Sequence, residues 1–351
     1  MVATGTGRAP GQTFRGIPSE FLAAKLRGRR TTLYEGARLR ELARAESVEE
    51  LAWRLFPRED IRDRAALERR LLNACVADLS SFLPYVDGAY YNLFLRLLDR
   101  YVVENLKVLL RLWSGGERPE EPSPYLIELP ASLSLPVEEL LRAAGPEEFV
   151  GRLPRPFLCE AAAEAMPLYV QTGRRAYLEM ALDRGYWLGV WDALSRLPAE
   201  DAQGCQAAIR CEFDAMQLLA TMRAAGAYGL DWGGWKPFLV RGPGRITTET
   251  LRRVHAAPEV ESVLDEVRWL RQVVGRVGAP EERLDRGGLE EALWRESVRL
   301  ANRQYYGSFS GPVVLVCYYY LKRSEMRRLF SLTQMLRYGT APEEMIERLG
   351  V

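Results

Sequence analysis

The stretch YYYLKRSEMRRLFSL, Tyr318 to Leu332, admits three readings. Consecutive tyrosines beside Lys322 and Arg323 would suit the aromatic edge of a membrane segment. The same aromatics interleaved with Arg327 and Arg328 would suit a nucleic-acid face. Spaced apolar residues between the charges would suit one helix of a packed bundle. Each reading implies a different protein, and the remainder of the chain decides among them.

The membrane reading fails on length. The longest apolar run, PVVLVCYYYL (Pro312 to Leu321), has ten residues, whereas a helix needs about 20 to span a bilayer. The nucleic-acid reading lacks its electrostatics. Lys and Arg number 48 against 47 Asp and Glu, a net charge of +1, which gives no surplus for displacing counterions from phosphates. On a helix, Tyr318, Tyr319, Lys322, Met326, Leu329, Thr333 and Leu336 fall on one mostly apolar stripe, with Lys322 contributing its aliphatic stem. Arg323, Arg327 and Gln334 fall off it. The packed-helix reading stands.

The rest of the 351 residues agrees. Leu93, Leu97, Leu98, Val102, Leu106, Leu109 and Leu110 recur at the three-and-four spacing of an amphipathic helix, and Leu33, Leu39, Leu42, Leu51, Trp53 and Leu55 do so earlier. Strand-like alternation is almost missing, so the fold class is all-α. Gly and Pro cluster at residues 114–124, 229–245 and 275–288 and mark loops between helical blocks. Residues 1–17, Gly- and Thr-rich without an apolar core, read as a disordered tail with no secretory signal.

Two unit types recur. LARAESVEEL (Leu42 to Leu51) aligns without gaps on LLRAAGPEEF (Leu140 to Phe149). Ser47 and Gly145 would cap the next helix, with carboxylates in its first turn, and Ser47 with Glu50 forms a capping box. Thr340 to Glu343 repeats the device. Separately, YVVENLKVLLR (Tyr101 to Arg111) resembles FDAMQLLATMR (Phe213 to Arg223), with Asn105 over Gln217 and Arg111 over Arg223. EMRRLFSL (Glu325 to Leu332) aligns as a third copy with Arg328 at the amide position. The interval from Asn105 to Gln217 matches that from Gln217 to Arg328 to within a single position. This regularity divides the chain into three related helical lobes, 18–115, 125–228 and 246–351.

Chemical motifs are sparse. His255 is the only histidine, so an HExxH metal site is impossible and any His-dependent triad would rest on this residue. It reads as a helix-end histidine. Cys75, Cys159, Cys205, Cys211 and Cys317 show no CxxC pair and read as reduced and mostly buried. GPGR (Gly242 to Arg245) is not a phosphate-binding loop, and GSFSG (Gly307 to Gly311) is not a nucleophile elbow. The acidic pairs Glu59-Asp60, Glu120-Glu121, Glu147-Glu148, Glu281-Glu282 and Glu343-Glu344 suit helix starts and solvation. Trp294 to Tyr306 reads as a solvated basic face beside a core face. No catalytic, cofactor or metal residue is assigned. More informative are polar residues at related places inside apolar helices: Asn105, Arg111, Glu212, Asp214, Gln217, Arg223, Glu325 and Arg328. A buried polar group is costly unless paired. These residues therefore mark either hydrogen bonds between helices or a polar central cavity.

In order and spacing, FLAAKLRGRRTTL, LRELARAESVEELAWRL, YVVENLKVLLRLW, EFDAMQLLATMR, YYYLKRSEMRRLFSL and GTAPEEMIERL resemble the C subunit of the V/A-type ATPases and ATP synthases, the family of the eukaryotic d subunit. The resemblance runs from about Phe14 onward. Gln217 and Arg328 stand where the family usually has Asn, and the loop around Trp232 and Trp235 looks longer than the family's. The resemblance implies a three-lobed, pseudo-threefold, funnel-like body without a catalytic site or cofactor. It implies a cytoplasmic rotor component, peripheral to the membrane, that joins the central shaft subunits to the proteolipid ring. An all-α enzyme or scaffold with a polar central pocket is the alternative reading of the residues.

Overall fold

The computed structural model describes residues 18–116, 123–277 and 284–349. The expected tail and the pairs Glu120-Glu121 and Glu281-Glu282 lie outside these residues. Among the described residues there are seventeen α-helices and no strand. The first five are α1 (Ser19–Arg30), α2 (Gly36–Leu42), α3 (Val48–Leu55), α4 (Arg64–Ser80) and α5 (Gly88–Gly115). The middle of the chain forms α6 (Val137–Leu141), α7 (Pro146–Gly151), α8 (Pro156–Thr172), α9 (Ala176–Ser195) and α10 (Ala199–Gly226). Then come α11 (Trp232–Trp235), α12 (Thr248–Ala256), α13 (Val260–Glu266), α14 (Trp269–Val277), α15 (Arg286–Gly307), α16 (Gly311–Arg337) and α17 (Pro342–Leu349). The Gly-Trp segment expected to be a loop thus contains the short helix α11, capped by Asp231.

The LARAESVEEL and LLRAAGPEEF segments are one local construction built twice. Ser47 Oγ accepts from the Glu50 amide at 3.1 Å, and Glu50 accepts from the Glu46 amide at 2.8 Å. The Ser47–Glu50 bond is the half of a capping box that the spacing predicts, while the return bond goes to the amide of Glu46, one residue before the cap. In the second copy Gly145 brings no side chain, and Glu148 still accepts from the Ala144 amide at 2.6 Å. One turn on, Arg54 joins Glu50 to the Glu41 carbonyl, and Arg152 joins Glu148 to the Glu139 carbonyl.

Three helices dominate: α5 and α10, of 28 residues each, and α16, of 27. Each is preceded by a helix of intermediate length, α4, α9 and α15 respectively. α5 packs on α9, α10 on α15, and α16 on α4, so each long helix lies against the one that introduces another. α1 arrives from the opposite end of the chain and lies along α16. Where they meet, the Gly311 amide donates to Ser19 Oγ at 2.7 Å, and any Cβ on Gly311 would strike the Ser19 carbonyl. A Cβ on Gly204 of α10 would come within 2.9 Å of Val313 Cγ1 on α16. One continuous apolar core runs from α1 to α17, and a smaller one fills the space between α10, α12, α13, α14 and α15.

α16 departs from the stripe expected of it. Residues 311–321 are buried on every side, and Tyr318, Tyr319 and Tyr320 are each 0% exposed. The reason is its surroundings: α1, α4, α10 and α15 all pack on it, leaving no solvent face in its first half. A helix that is apolar nearly all round belongs at the centre of a bundle.

Gly204→Leu is expected to lower the unfolding free energy by about 1–3 kcal/mol through overpacking against Val313. Gly28→Ala, with nothing within 4 Å of its new methyl, should not destabilise the chain. Urea titration checks both. An undiminished midpoint for Gly204→Leu would contradict the α10–α16 contact.

Candidate functional site

Successive residues on an α-helix point about 100° apart, and the three tyrosines of α16 use this to reach three different helices. Tyr318 Oη donates to Asp78 of α4 at 2.7 Å. Tyr319 Oη donates to the Leu97 carbonyl of α5 at 3.1 Å. Tyr320 Oη donates to Glu212 of α10 at 2.8 Å. Asp78 is also paired with Arg29 of α1 at 2.5 Å, so the Tyr318 contact extends to a further helix. Burial, then the Asp78 charge, pushes the Tyr318 hydroxyl far up, and it remains a donor.

Glu212 is the centre of this arrangement. It is 8% exposed and faces Arg323 of α16 at 2.8 Å and Arg100 of α5 at 3.1 Å. Arg100, Glu212 and Arg323 each stand five positions before Asn105, Gln217 and Arg328, so they obey the same repeat. Related positions on the three long helices therefore meet at one point. Burial pushes the Glu212 carboxyl up, but Arg323, Arg100 and the Tyr320 hydroxyl outweigh it and hold the group below the usual glutamate range. The Arg323 guanidinium lies over the Trp294 ring at 4.7 Å and the Tyr319 ring at 5.1 Å, where ring quadrupoles add to its stabilisation.

The other residues singled out in the sequence do different work. Asn105 is a two-way clip: its Nδ2 donates to the Ile127 carbonyl and its Oδ1 accepts from the Ile127 amide, both at 2.8 Å. Gln217 does the same to Val240, at 2.9 and 3.2 Å. Each amide fastens the segment that follows its long helix, satisfying a backbone donor and acceptor that burial would otherwise leave unpaired. Asp214 and Glu325, two positions past Glu212 and Arg323, are carboxylate clips. Asp214 accepts from the Arg245 amide at 3.0 Å and from Ile246 at 3.4 Å. The GPGR loop thus binds a carboxylate of its own chain. Gly242 and Gly244 let it approach, since a Cβ there would come within 2.6 Å of Trp191 Nε1 and 2.9 Å of Phe213 respectively. Glu325 accepts from the Tyr34 amide at 2.7 Å and pairs with Lys322 at 2.5 Å, fastening the α1–α2 connection to α16.

Arg111 forms a two-point pair with Glu179 of α9 at 3.0 and 3.1 Å. Arg223 is exposed, and its side chain has no partner among the described residues. Arg328 is half-buried, also without a partner among them, and lines a cleft of about 1250 Å³ between α15, α16 and α17. Of the eight residues, only Arg328 lines that cleft. His255 sits in the last turn of α12, its Nε2 2.9 Å from the Leu230 carbonyl. Among the described residues no group of His, Cys, Asp and Glu is arranged to hold a metal. No helix among them is long and apolar enough to cross a membrane.

Residues 22–348 match the family model of the ATP synthase (C/AC39) subunit. The chain belongs to this family, which includes the C subunit of the V/A-type ATP synthases and is homologous to the d subunit of the V-ATPases. It is 25% identical over 350 residues to the C subunit of the A-type ATP synthase of Haloferax volcanii, covering 97% of this chain and 99% of that protein. It is 27% identical over 183 residues to the C subunit of the A-type ATP synthase of Methanocaldococcus jannaschii, covering 48% of this chain and 45% of that one.

Two members of the Glu212 node are not among the residues that the sequence singles out. Arg100 carries no local signal, and the α16 stripe places Arg323 on the solvated side. The repeat itself holds the missing signal: stepping from Glu212 by the interval that relates Asn105, Gln217 and Arg328 leads directly to both.

Glu212→Ala would strand two guanidiniums, and the expected loss is about 2–4 kcal/mol, moderated because Arg100 is 36% exposed and its pairing is screened. Because the fold holds the Glu212 carboxyl below its ordinary 4.5, its contribution is full above that pH and disappears as pH falls through the folded value. Urea unfolding of Glu212→Gln should therefore show a deficit at neutral pH that narrows below 4.5. A deficit independent of pH would contradict an ionised Glu212. Asn105→Ala should cost about 1–3 kcal/mol by leaving the Ile127 backbone unpaired, with hydrogen exchange at the Ile127 amide accelerated.

Proposed function

We propose that the chain is a non-catalytic central-rotor subunit of a rotary V/A-type ATPase. It acts as a socket that joins the central shaft subunits to the membrane proteolipid ring and passes torque between them. The observation that carries this reading is the family match over residues 22–348, together with a near full-length alignment to the C subunit of an A-type ATP synthase. We further propose that lobes 18–115, 125–228 and 246–351 surround a pseudo-threefold axis in a funnel-like body. In support, related residues of α5, α10 and α16 meet at Glu212, and each long helix packs on the helix that introduces another.

The mechanics suit the role. A torque coupler must resist shear, and shear between long helices would separate Arg323 and Arg100 from Glu212, whose carboxylate is almost out of reach of solvent. Clips such as Asn105–Ile127 and Gln217–Val240 tie the intervening segments to the same helices. Interiors packed in this way are weakly compressible and transmit strain.

In detergent-solubilised membranes the chain is expected to co-purify with the catalytic head, the shaft and the proteolipid ring. Alone it should hydrolyse ATP no faster than buffer. Deleting it should leave ATP hydrolysis by the head intact while abolishing coupled ion translocation. Co-purification with none of these components, or coupled transport without the chain, would refute the proposal.

A further inference from the structure

The cleft between α15, α16 and α17 carries an electrostatic surplus that the chain as a whole lacks. Six arginines line it against three glutamates, in a protein of net charge +1. Most of these arginines are already engaged. Arg30 pairs with Glu35, Arg295 and Arg327 with Glu291, Arg299 with Glu296, and Arg348 with Glu344. Arg328 is not engaged by any described residue.

Its place in the repeat gives that freedom meaning. At the equivalent positions, Asn105 and Gln217 each hold a returning segment of backbone by a donor and an acceptor. On α16 the position faces the open cleft, and the side chain there is a cation with five donors and no acceptor. An arginine cannot clip a backbone amide and carbonyl together, but it can take a carboxylate in two-point geometry. Beside it, Ser331 and Gln334 are exposed and offer further hydrogen bonds, while Val298, Leu321 and Met335 supply an apolar floor.

We propose that this cleft binds an acidic segment of a partner protein, with Arg328 as its principal cation. The volume is far larger than a single small anion requires. The mixed apolar and polar lining fits the alternating aliphatic and carboxylate groups of a polypeptide. The proposal goes beyond the coupling role, since it assigns a surface and the chemistry that fits it whichever protein supplies the segment.

The test uses the full-length chain and a short fluorescein-labelled peptide of Glu interleaved with Leu and Ala, followed by fluorescence anisotropy. Arg328→Glu and Ser331→Glu should each weaken binding by about tenfold or more. Neither substitution removes an ion pair within the chain, so thermal unfolding should confirm that both variants remain folded. Arg62→Glu, on an exposed connection where the side chain is 82% exposed, should bind as the native chain does. Absence of binding to the native chain would overturn the proposal. So would equal losses in all three variants, which would indicate general charge attraction, or displacement of the peptide by equimolar inorganic phosphate, which would indicate a small-anion site. Failure of co-purification with rotary ATPase components would count against the coupling role and leave this result standing.

Discussion

Three long helices are held in register by one carboxylate. Glu212 sits almost out of reach of solvent between Arg323 and Arg100, and its second oxygen accepts from Tyr320. An Arg–Glu–Arg set of this kind is weak as a source of net stability, because desolvation of three charges offsets much of the attraction. It is strict as a constraint. Sliding α10 or α16 by one turn would leave a charge buried without its partner, which costs far more than the pairing gains, while the partly exposed Arg100 constrains α5 less strictly. The tyrosines around it act in the same sense. Tyr318, Tyr319 and Tyr320 direct hydroxyls to Asp78, Leu97 and Glu212, so a shift of α16 would break bonds to three helices at once.

Beyond this node the chain reuses a few devices with local adjustments. An amide a turn and a half past the node clips the segment that follows, with Asn in one copy and Gln in another. The longer Gln side chain reaches a residue 23 positions on where Asn reaches one 22 positions on. A carboxylate holds the backbone ahead of a short helix, Asp214 for α12 and Glu325 for α2. The Glu325 contact brings the N-terminal side of the molecule onto α16, so the third long helix is completed by residues remote from it in sequence. Arg328 is where the series departs: the clip position carries a cation and opens to a cleft.

Much of this was legible in advance, and the reasons are specific. The Ser47–Glu50 cap and the carboxylate bonds at Glu50 and Glu148 join residues three and four apart, and both copies are readable from spacing alone. Asn105 and Gln217 stand out because an amide in an apolar helix demands a partner, although their partners, Ile127 and Val240, carry no recognisable signal. The backbone that they bind is the same at every residue. The acidic pair Glu59-Asp60 reads as a helix start and is not one. Glu59 instead makes a two-point pair with Arg70 of α4, and Asp60 pairs with Arg62. A carboxylate ahead of a helix satisfies either role, and only the fold chooses.

By itself the sequence determined that the chain is helical, that its long helices recur at nearly equal intervals, and that YYYLKRSEMRRLFSL is a packed helix too short in apolar length to span a bilayer. These follow from periodicity and from counting, which need no knowledge of how the helices meet. The tertiary structure decided which faces of that helix are buried and which charges belong inside. Arg323 has the same chemistry as Arg327, four residues on, and nothing nearby in sequence distinguishes them. Both guanidiniums lie over Trp294, but Arg323 is largely buried, also covers Tyr319 and is bound to Glu212, while Arg327 pairs with Glu291 and reaches the cleft. Burial of a charge is decided by its partner, and the partner of Arg323 stands on another long helix, remote in the chain.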